Sequence, residues 1–135
     1  MTKNPASGQT TSVHDAIANT LAAYTKAMDD QDPEAAAQLL ATADLHFKDT
    51  PPLHGRADIG AFYASAFPNP SRTRHIISNL MTTPGQDATH YSAIYQRWSV
   101  ADPMTPVCEA FGHYTGRFTH TEAGLIWVEH RVLTT

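Results

Sequence analysis

The sequence has 135 residues, of which 41% are hydrophobic and 16% are charged, a composition typical of one folded domain rather than a disordered chain. The nine Lys and Arg and 13 Asp and Glu give a net charge of −4. Because the basic residues are scattered, nucleic-acid binding is a poor expectation. No apolar run reaches the roughly 20 residues that span a membrane, and because the start of the chain is polar we expect no secretory signal. The expected class is a cytoplasmic enzyme or binding protein.

The single cysteine, Cys108, excludes an intramolecular disulfide and a cysteine-based zinc site. We expect its side chain to be buried as a small hydrophobe. The eight histidines are dispersed and show no pair at helical ligand spacing. His113 and His120 are seven residues apart on one predicted strand, which places them on opposite faces. Neither a metal nor a cofactor is therefore expected.

Residues 1–11 are polar and predict a flexible tail ahead of one domain at 12–135. Ser12 and Asp15 are typical of a helix start, with a hydroxyl cap and an acidic first turn. This helix should end near Asp30, because apolar residues recur at spacings of three and four at Val13, Ile17, Leu21, Tyr24 and Met28.

Two further helices are predicted in the first half of the chain. Asp32-Pro33 is a cap followed by proline, which begins a short helix from Glu34 to about Ala41. A short strand at 45–48 is then broken by Pro51-Pro52. Gly55 opens the third helix, which Pro68 and Pro70 end and which carries the apolar residues Ile59, Phe62, Tyr63 and Phe67.

After the third helix the apolar period changes to two. Four strands are predicted, at 74–82, 88–100, 107–120 and 125–133, with Pro and Gly between them. Helices followed by a meander of strands predict an α+β fold, with three N-terminal helices packed on a curved antiparallel sheet. A long, twisted sheet of this kind forms a cup that the helices can close.

The first long strand carries the most informative chemistry. Alternation places His75, Ile77, Asn79 and Met81 on one face. A histidine among apolar residues favours the neutral imidazole, which is the form of a general base. At the end of the first helix, Asp29 could stabilise the imidazolium that forms.

Tyr24 lies five residues before Asp29 on the first helix, and its phenol could donate a hydrogen bond to a developing oxyanion. Tyrosine, aspartate and histidine in an apolar cup would suit proton abstraction next to a carbonyl. Each of the three residues also has a structural alternative: a core tyrosine, a solvated acid and a hydrogen-bonded strand histidine.

The order of these residues resembles a known superfamily. Tyr24 and Asp29 are followed by Gly55-Arg56, Arg74-His75-Ile76-Ile77, Gly112-His113-Tyr114 and Trp127 with Arg131. Over about residues 12–134 this pattern is similar to the SnoaL-like branch of the nuclear transport factor 2-like superfamily, with its cystatin-like cone. It is most similar to the group of scytalone dehydratase, lindane dehydrochlorinase and bile-acid dehydratase.

The resemblance implies that Asp29 and His75 form the catalytic pair, with Tyr24 at the tyrosine position of bile-acid dehydratase. Arg131 loosely matches a basic pocket residue of some relatives. The sequence departs from scytalone dehydratase where Met28 precedes the aspartate, where Lys48 replaces a strand tyrosine, and where Trp98 stands for a second histidine. The scytalone substrate itself is therefore not expected.

The remaining strands place bulky groups on both faces. Tyr95 and Arg97 alternate with Trp98 on one strand, and on the last strand Trp127 and Arg131 alternate with apolar residues and His130. Plausible pocket walls are Phe62, Met81, Tyr95, Trp98 and Arg131, although Tyr95 and Trp98 could equally be contacts between subunits. Two bulky faces predict a homodimer packed sheet to sheet.

These observations predict a lyase of dehydratase type or an isomerase that needs no cofactor. Its substrate would be a small, largely apolar, cyclic compound with a carbonyl group, and His75 and Asp29 would transfer the proton. One alternative is a ketosteroid-isomerase or polyketide-cyclase reaction with a carboxylate base. Others are a noncatalytic small-molecule-binding protein and an assembly subunit like the β-subunits of dioxygenases.

Overall fold

The computed structural model describes residues 12–67 and 72–135. The predicted tail at 1–11 and the helix-ending Pro68 and Pro70 lie outside the described residues. The described chain has three helices: α1 (Val13–Asp29), α2 (Pro33–Leu39) and α3 (Arg56–Ala66). Its strands are β1 (Asp44–Phe47), β2 (Leu53–His54), β3 (Thr73–Pro84), β4 (Ala88–Ser99), β5 (Val107–Thr121) and β6 (Gly124–Thr134).

The helix starts follow from side-chain capping. The Ser12 hydroxyl accepts a hydrogen bond from the amide of Asp15 at 3.1 Å, and the Asp32 carboxylate accepts one from the amide of Ala35 at 3.0 Å. These bonds satisfy amides that have no partner within the helix. The buried stripe of α1 follows the predicted apolar spacing and consists of Ile17, Leu21, Tyr24, Thr25, Ala27 and Met28.

In the described part of the chain, the sheet has six strands in the order β2-β1-β6-β5-β4-β3. The four long strands form the predicted antiparallel meander, and the α+β prediction is confirmed. The structure adds a feature that was not predicted: β1 runs parallel to β6, with Leu45 opposite His130. Beyond β1, the two-residue strand β2 extends the edge of the sheet directly after the Pro51-Pro52 break.

A bulge in β3 changes which side chains face the helices. Ser78 pairs with Ile94 and Met81 pairs with Ser92, so Asn79 and Leu80 together oppose a single residue of β4. Asn79 has a φ of 55°, a left-handed conformation that asparagine adopts more readily than most residues. The prediction that Met81 lines a pocket is therefore wrong. Its side chain lies on the outer face and is 68% exposed, whereas Leu80 packs against the core.

A second bulge has the same effect in β6. Arg117 pairs with Glu129 and Phe118 pairs with Trp127, which leaves Val128 as the extra residue. Trp127 and His130 are both buried as a result, and Arg131 lies on the outer face with its guanidinium 3.0 Å from the carboxylate of Glu129. The predicted role of Arg131 as a pocket residue is therefore wrong.

The prediction for Cys108 is also wrong, because its side chain is exposed near the start of β5. The inner face of β5 further along alternates small and large residues. A Cβ atom at Gly112 would lie 2.8 Å from the Tyr95 ring, and one at Gly116 would lie 2.4 Å from the Tyr91 hydroxyl. Glycine at these two positions therefore lets two aromatic rings of β4 lie across β5. None of the described helices is long and apolar enough to span a membrane.

Candidate active site

A cavity of about 350 Å³ lies between the helices and the inner face of the sheet. This volume is at the lower end of the range of about 300–1,000 Å³ that is typical of small-molecule sites. Helix α1, helix α3 and the four strands β1, β4, β5 and β6 all contribute to its wall, as does the start of β3. Its lining residues are Tyr24, Met28, Gln31, Phe47, Phe62, Tyr63, Ala66, Phe67, Thr73, His75, Tyr95, Arg97, Tyr114, Val132 and Thr134.

The structure brings Asp29 and His75 together, where α1 ends and β3 begins. Oδ1 of Asp29 lies 2.6 Å from Nδ1 of the His75 ring, and Oδ2 accepts a hydrogen bond from the His75 amide at 3.0 Å. The hydroxyl of Thr73 donates a third hydrogen bond to Oδ1 at 3.1 Å. The side chains are 9% exposed for His75 and 14% exposed for Asp29, so water competes little for these bonds.

Burial raises the pKa of the Asp29 carboxyl, but the hydrogen bonds and charge of His75 and the bond from Thr73 more than offset it. The net pKa lies below the ordinary range of an aspartate, so Asp29 is a carboxylate at neutral pH. A carboxylate can only accept a hydrogen bond, and Nδ1 of His75 must therefore carry the proton.

His75 lines the cavity, whereas Asp29 borders a separate shallow depression with Lys26, Asp30 and Arg74. Because Asp29 holds Nδ1, Nε2 is the ring nitrogen that remains for a ligand in the cavity. In the neutral tautomer that Asp29 selects, Nε2 has a free lone pair. The arrangement therefore positions a basic nitrogen at the cavity wall.

Tyr24 lines the same cavity, with a partner that was not predicted as a site residue. Its hydroxyl lies 2.7 Å from the hydroxyl of Tyr63 on α3, and both side chains are buried. Burial raises the pKa of both phenols, so both stay protonated at neutral pH. One hydroxyl donates to the other, which leaves the second proton available to a ligand. Tyr63 was missed because its helical spacing gives only an apolar stripe.

Two predicted wall residues, Phe62 and Tyr95, also line the cavity. The Phe62 ring packs against Phe47, with centroids 5.1 Å apart. Tyr95 stacks on Tyr114 at 4.5 Å with the two rings nearly parallel, and its hydroxyl shares a hydrogen bond with Thr134. The cavity therefore has aromatic surfaces both on the helix side and on the sheet side.

Trp98 does not line the cavity, and its prediction as a substrate-binding residue is wrong. Tyr95 faces inward and β4 keeps its alternation, so Trp98, three residues later, lies on the outer face. There its indole nitrogen donates a hydrogen bond to Gln96. The cavity-lining residue at this end of β4 is Arg97, which is opposite His75 in the register.

A second histidine lies deeper, in the aromatic core. His130 is fully buried, and its Nδ1 lies 2.7 Å from the Tyr91 hydroxyl. Nε2 has no hydrogen-bond partner among the described residues. Desolvation by burial lowers the pKa of His130 to about 3, so the ring is neutral. Aromatic rings surround it at centroid distances of 4.7 Å for Tyr24, 4.8 Å for Tyr114 and 5.0 Å for Trp127.

Within 12–67 and 72–135, no group of three His, Cys, Asp or Glu side chains is arranged to hold a metal ion.

Solved structures with this architecture show the fold. ActVI-ORFA from Streptomyces coelicolor superposes with a TM-score of 0.80 at 16% identity, covering 92% of this chain and 98% of that one. An aromatic ring hydroxylase candidate from Novosphingobium aromaticivorans has a TM-score of 0.74 at 23% identity, with coverages of 90% and 87%. A scytalone dehydratase candidate from the same organism has a TM-score of 0.72 at 14% identity, with coverages of 90% and 83%.

No curated protein matches the sequence significantly. The fold is the cystatin-like fold, which a nuclear transport factor 2-like protein of N. aromaticivorans also has. Residues 9–132 match the SnoaL-like domain, and the chain therefore belongs to the SnoaL-like family.

Proposed function

We propose that this protein is a lyase of dehydratase type, or an isomerase, that abstracts a proton next to a carbonyl group without a cofactor. The observation that carries the proposal is the 2.6 Å contact between Asp29 and His75, in which the histidine ring lines a cavity and the aspartate does not. In this arrangement His75 is the general base, and Asp29 orients it and stabilises its cation.

The proposed first step moves one proton and two electron pairs. Nε2 of His75 takes the proton from the carbon next to the carbonyl, the C–H electrons form a carbon–carbon double bond, and the π electrons of the carbonyl move to its oxygen to give an enolate. A hydroxyl of the Tyr24–Tyr63 pair donates a hydrogen bond to that oxygen. Such a donor, held in place before the reaction, can stabilise the enolate without a metal.

The second step distinguishes the two reaction types. In a lyase reaction the enolate re-forms the carbonyl and expels a hydroxyl group from the next carbon, and His75 returns its proton so that water leaves. In an isomerase reaction His75 returns the proton to a different carbon of the conjugated system. The solved relative named as a scytalone dehydratase candidate favours the elimination.

The lining of the cavity supports a small cyclic substrate. Aromatic rings from α3 and β1 face aromatic rings from β4 and β5, with Phe47, Phe62, Tyr63, Phe67, Tyr95 and Tyr114 among the lining residues. Flat unsaturated rings pack well between aromatic surfaces, in stacked and edge-to-face arrangements. A cyclic compound with a carbonyl group is therefore the proposed substrate class.

The alternative reaction with a carboxylate base has less support. No Asp or Glu is among the described residues that line the cavity. The carboxylate of Asp29 accepts three hydrogen bonds from His75 and Thr73 and has a lowered pKa, which makes it a weak base. A noncatalytic binding protein or an assembly subunit would keep the cavity without turnover, and the experiment below separates these alternatives.

Deuterium exchange tests the proposed chemistry without knowledge of the natural substrate. A panel of cyclic ketones, including 2-tetralone and 1-indanone, is incubated with the protein in D₂O, and loss of the C–H signals next to the carbonyl is followed by NMR. We expect exchange above the buffer rate for the wild type and a decrease of about 10²- to 10⁴-fold in His75→Gln.

His113→Gln is the matched control, because His113 is exposed on β5. It should exchange like the wild type. Exchange at the buffer rate for every ketone with the wild type would favour the binding or assembly alternative. An unchanged rate in His75→Gln would show that another group is the base.

We also propose that the protein is a cytoplasmic homodimer. The outer face of the sheet presents exposed apolar residues from three strands, among them Ile76, Phe111 and Leu133. Exposed apolar patches of this kind are typical of contact surfaces. Light scattering after size exclusion should give twice the monomer mass, and Phe111→Glu should return the protein to a monomer. A wild-type monomer would contradict the proposed homodimer.

A further inference from the structure

The cavity wall next to His75 carries a permanent positive charge. Arg97 on β4 is the direct register partner of His75 on β3, and its side chain lines the cavity. Among the described lining residues it is the only Arg or Lys, and none of the lining residues is an Asp or Glu. The cavity is therefore asymmetric in charge, with a cation near the base and no anion on its wall.

The positive charge of Arg97 is only partly compensated by a neighbouring carboxylate. Nε of Arg97 lies 3.6 Å from a carboxylate oxygen of Glu109 on β5, beyond ordinary hydrogen-bond distance. A guanidinium has five N–H donors in a planar fork that matches a carboxylate. The described residues provide no hydrogen-bond acceptor for the side chain of Arg97, which is 45% exposed. Its donors are therefore available to a ligand that enters the cavity.

Arg131, on the same sheet, is an arginine whose guanidinium has a hydrogen-bonded carboxylate partner. Its guanidinium donates a hydrogen bond to Glu129 at 3.0 Å, and its side chain is 46% exposed, almost the same as that of Arg97. Arg131 lies outside the cavity lining. The two arginines therefore differ in partner and location rather than in exposure.

The charge of Arg97 also affects the pKa of Tyr114, an aromatic residue of the cavity wall. Burial raises the pKa of Tyr114, and the neighbouring phenols and Asp29 act in the same direction, whereas the Arg97 guanidinium acts in the opposite direction. Of these influences, only the Arg97 guanidinium favours a negative charge, so a bound anion is expected at Arg97 on the cavity edge rather than deeper beside Tyr114.

We propose that Arg97 binds a carboxylate of the ligand, so that the ligand class is an amphiphilic cyclic acid. Its rings lie among the aromatic residues of the cavity, and its carboxylate pairs with the guanidinium at the cavity edge. This inference rests on the proposed function only in placing the ligand in the same cavity, and it narrows the substrate from a largely apolar carbonyl compound to one that also carries an acid group.

Two probes of the same shape test this charge preference: 2-naphthoate, an anion, and 2-naphthamide, which is neutral. Binding is measured by isothermal titration calorimetry at low and high salt. The wild type should bind naphthoate about tenfold more tightly than naphthamide. The carboxylate can accept two charge-assisted hydrogen bonds from the guanidinium, whereas the neutral amide cannot. The preference should shrink in high salt, since Arg97 is partly exposed.

Four variants assign the preference to Arg97. Arg97→Gln should bring the two affinities within about twofold, and Arg97→Lys should keep part of the preference because it keeps the charge without the fork. Glu109→Gln should strengthen naphthoate binding about two- to threefold, because it removes the competing carboxylate. Arg131→Gln, the matched control, should bind both probes like the wild type.

Equal wild-type affinities for the two probes, or binding of neither, would overturn the inference. An equal loss of preference in Arg131→Gln and Arg97→Gln would also overturn it, because the effect would then be one of net charge. The outcome is separable from the deuterium exchange. Exchange that depends on His75 without a preference for naphthoate leaves the proposed function standing, and a preference that depends on Arg97 without exchange leaves only the anion site.

Discussion

His75 and His130 are both largely shielded from water, yet the two regions that hold them are chemically opposite. His75 lies at the cavity wall with a carboxylate 2.6 Å from one ring nitrogen. His130 lies in the aromatic core with the neutral Tyr91 hydroxyl as its partner, and burial lowers its pKa to about 3. A protonated ring at 130 would have no counter-ion, whereas one at 75 is paired with Asp29.

The comparison shows that burial alone makes a histidine inert. A general base must accept a proton during the reaction, and the cost of that charge decides whether it can. Asp29 stabilises the imidazolium of His75, and the cavity gives a substrate access to the ring. His130 has neither feature, because its ring contacts the neutral Tyr91 hydroxyl instead of a carboxylate and it is not among the described residues that line the cavity. Both differences lead to measurable effects.

Among changes to the surroundings of the two histidines, the largest effect is expected from removing the charge of the Asp29 carboxylate. Asp29→Asn keeps the shape of the pair but can no longer stabilise the imidazolium, and its amide can select the wrong tautomer. We expect ketone exchange to fall about 100-fold. Asp30→Asn is the matched control, because Asp30 is exposed and pairs with Lys26. Asp29→Asn exchanging like Asp30→Asn would show that His75 acts without its partner.

The second effect is on stability. An unfolded histidine titrates near 6.5 whereas folded His130 titrates at about 3. Between these values the unfolded chain binds a proton that the folded chain does not, so the free energy of unfolding decreases as the pH is lowered. From pH 7.5 to pH 5 this contributes on the order of 2 kcal/mol. Urea titrations should show that His130→Phe loses this part of the pH dependence.

The same substitution separates the two histidines. His130→Phe should leave ketone exchange within about threefold of the wild type, since the ring does not line the cavity.

Asp29 also makes the free energy of unfolding depend on pH, but over a lower pH range than His130. Its folded pKa is lowered, so its contribution is present above the unfolded value near 3.9 and is lost only as the pH falls below it. An unchanged pH dependence in His130→Phe would contradict the neutral, buried ring.

The smallest effect concerns the hydroxyl pair. Tyr24→Phe and Tyr63→Phe should each slow exchange about tenfold, because either change breaks the chain of donors to the enolate. The double variant should be little slower than the singles, since the two hydroxyls act as a unit. Tyr91→Phe is the control: it removes a buried hydroxyl outside the cavity lining and should affect stability without affecting exchange. Additive effects in the double variant would argue against a shared donor.

The fold could be predicted because its signals are local. The apolar spacing of α1, the caps at Ser12 and Asp32 and the alternation of the long strands each act over a few residues, and the structure confirms them. That Asp29 and His75 form a pair was predicted from the resemblance and from their positions at the end of a helix and the start of a strand. Their catalytic role stays a prediction.

Two of the errors came from features that alternation cannot encode. A single extra residue in β3 and another in β6 reverse the faces, which moved Met81 and Arg131 to the outer side of the sheet. Asn79 was the one local signal for the first bulge, since asparagine tolerates a positive φ. Arg97 and Tyr63 were missed because register across strands and the approach of α3 to α1 are tertiary properties.

The protonation of the two ring nitrogens of His75 decides whether Asp29 holds this ring in the form of a general base. Long-range ¹H–¹⁵N correlation spectra, recorded where the ring is neutral and assigned with His75→Gln, report which nitrogen carries the proton. The account predicts a proton on Nδ1, held by Asp29, and a bare Nε2 toward the cavity, with the tautomer lost in Asp29→Asn. A neutral ring with its proton on Nε2 would contradict the account, because no lone pair would then face the substrate.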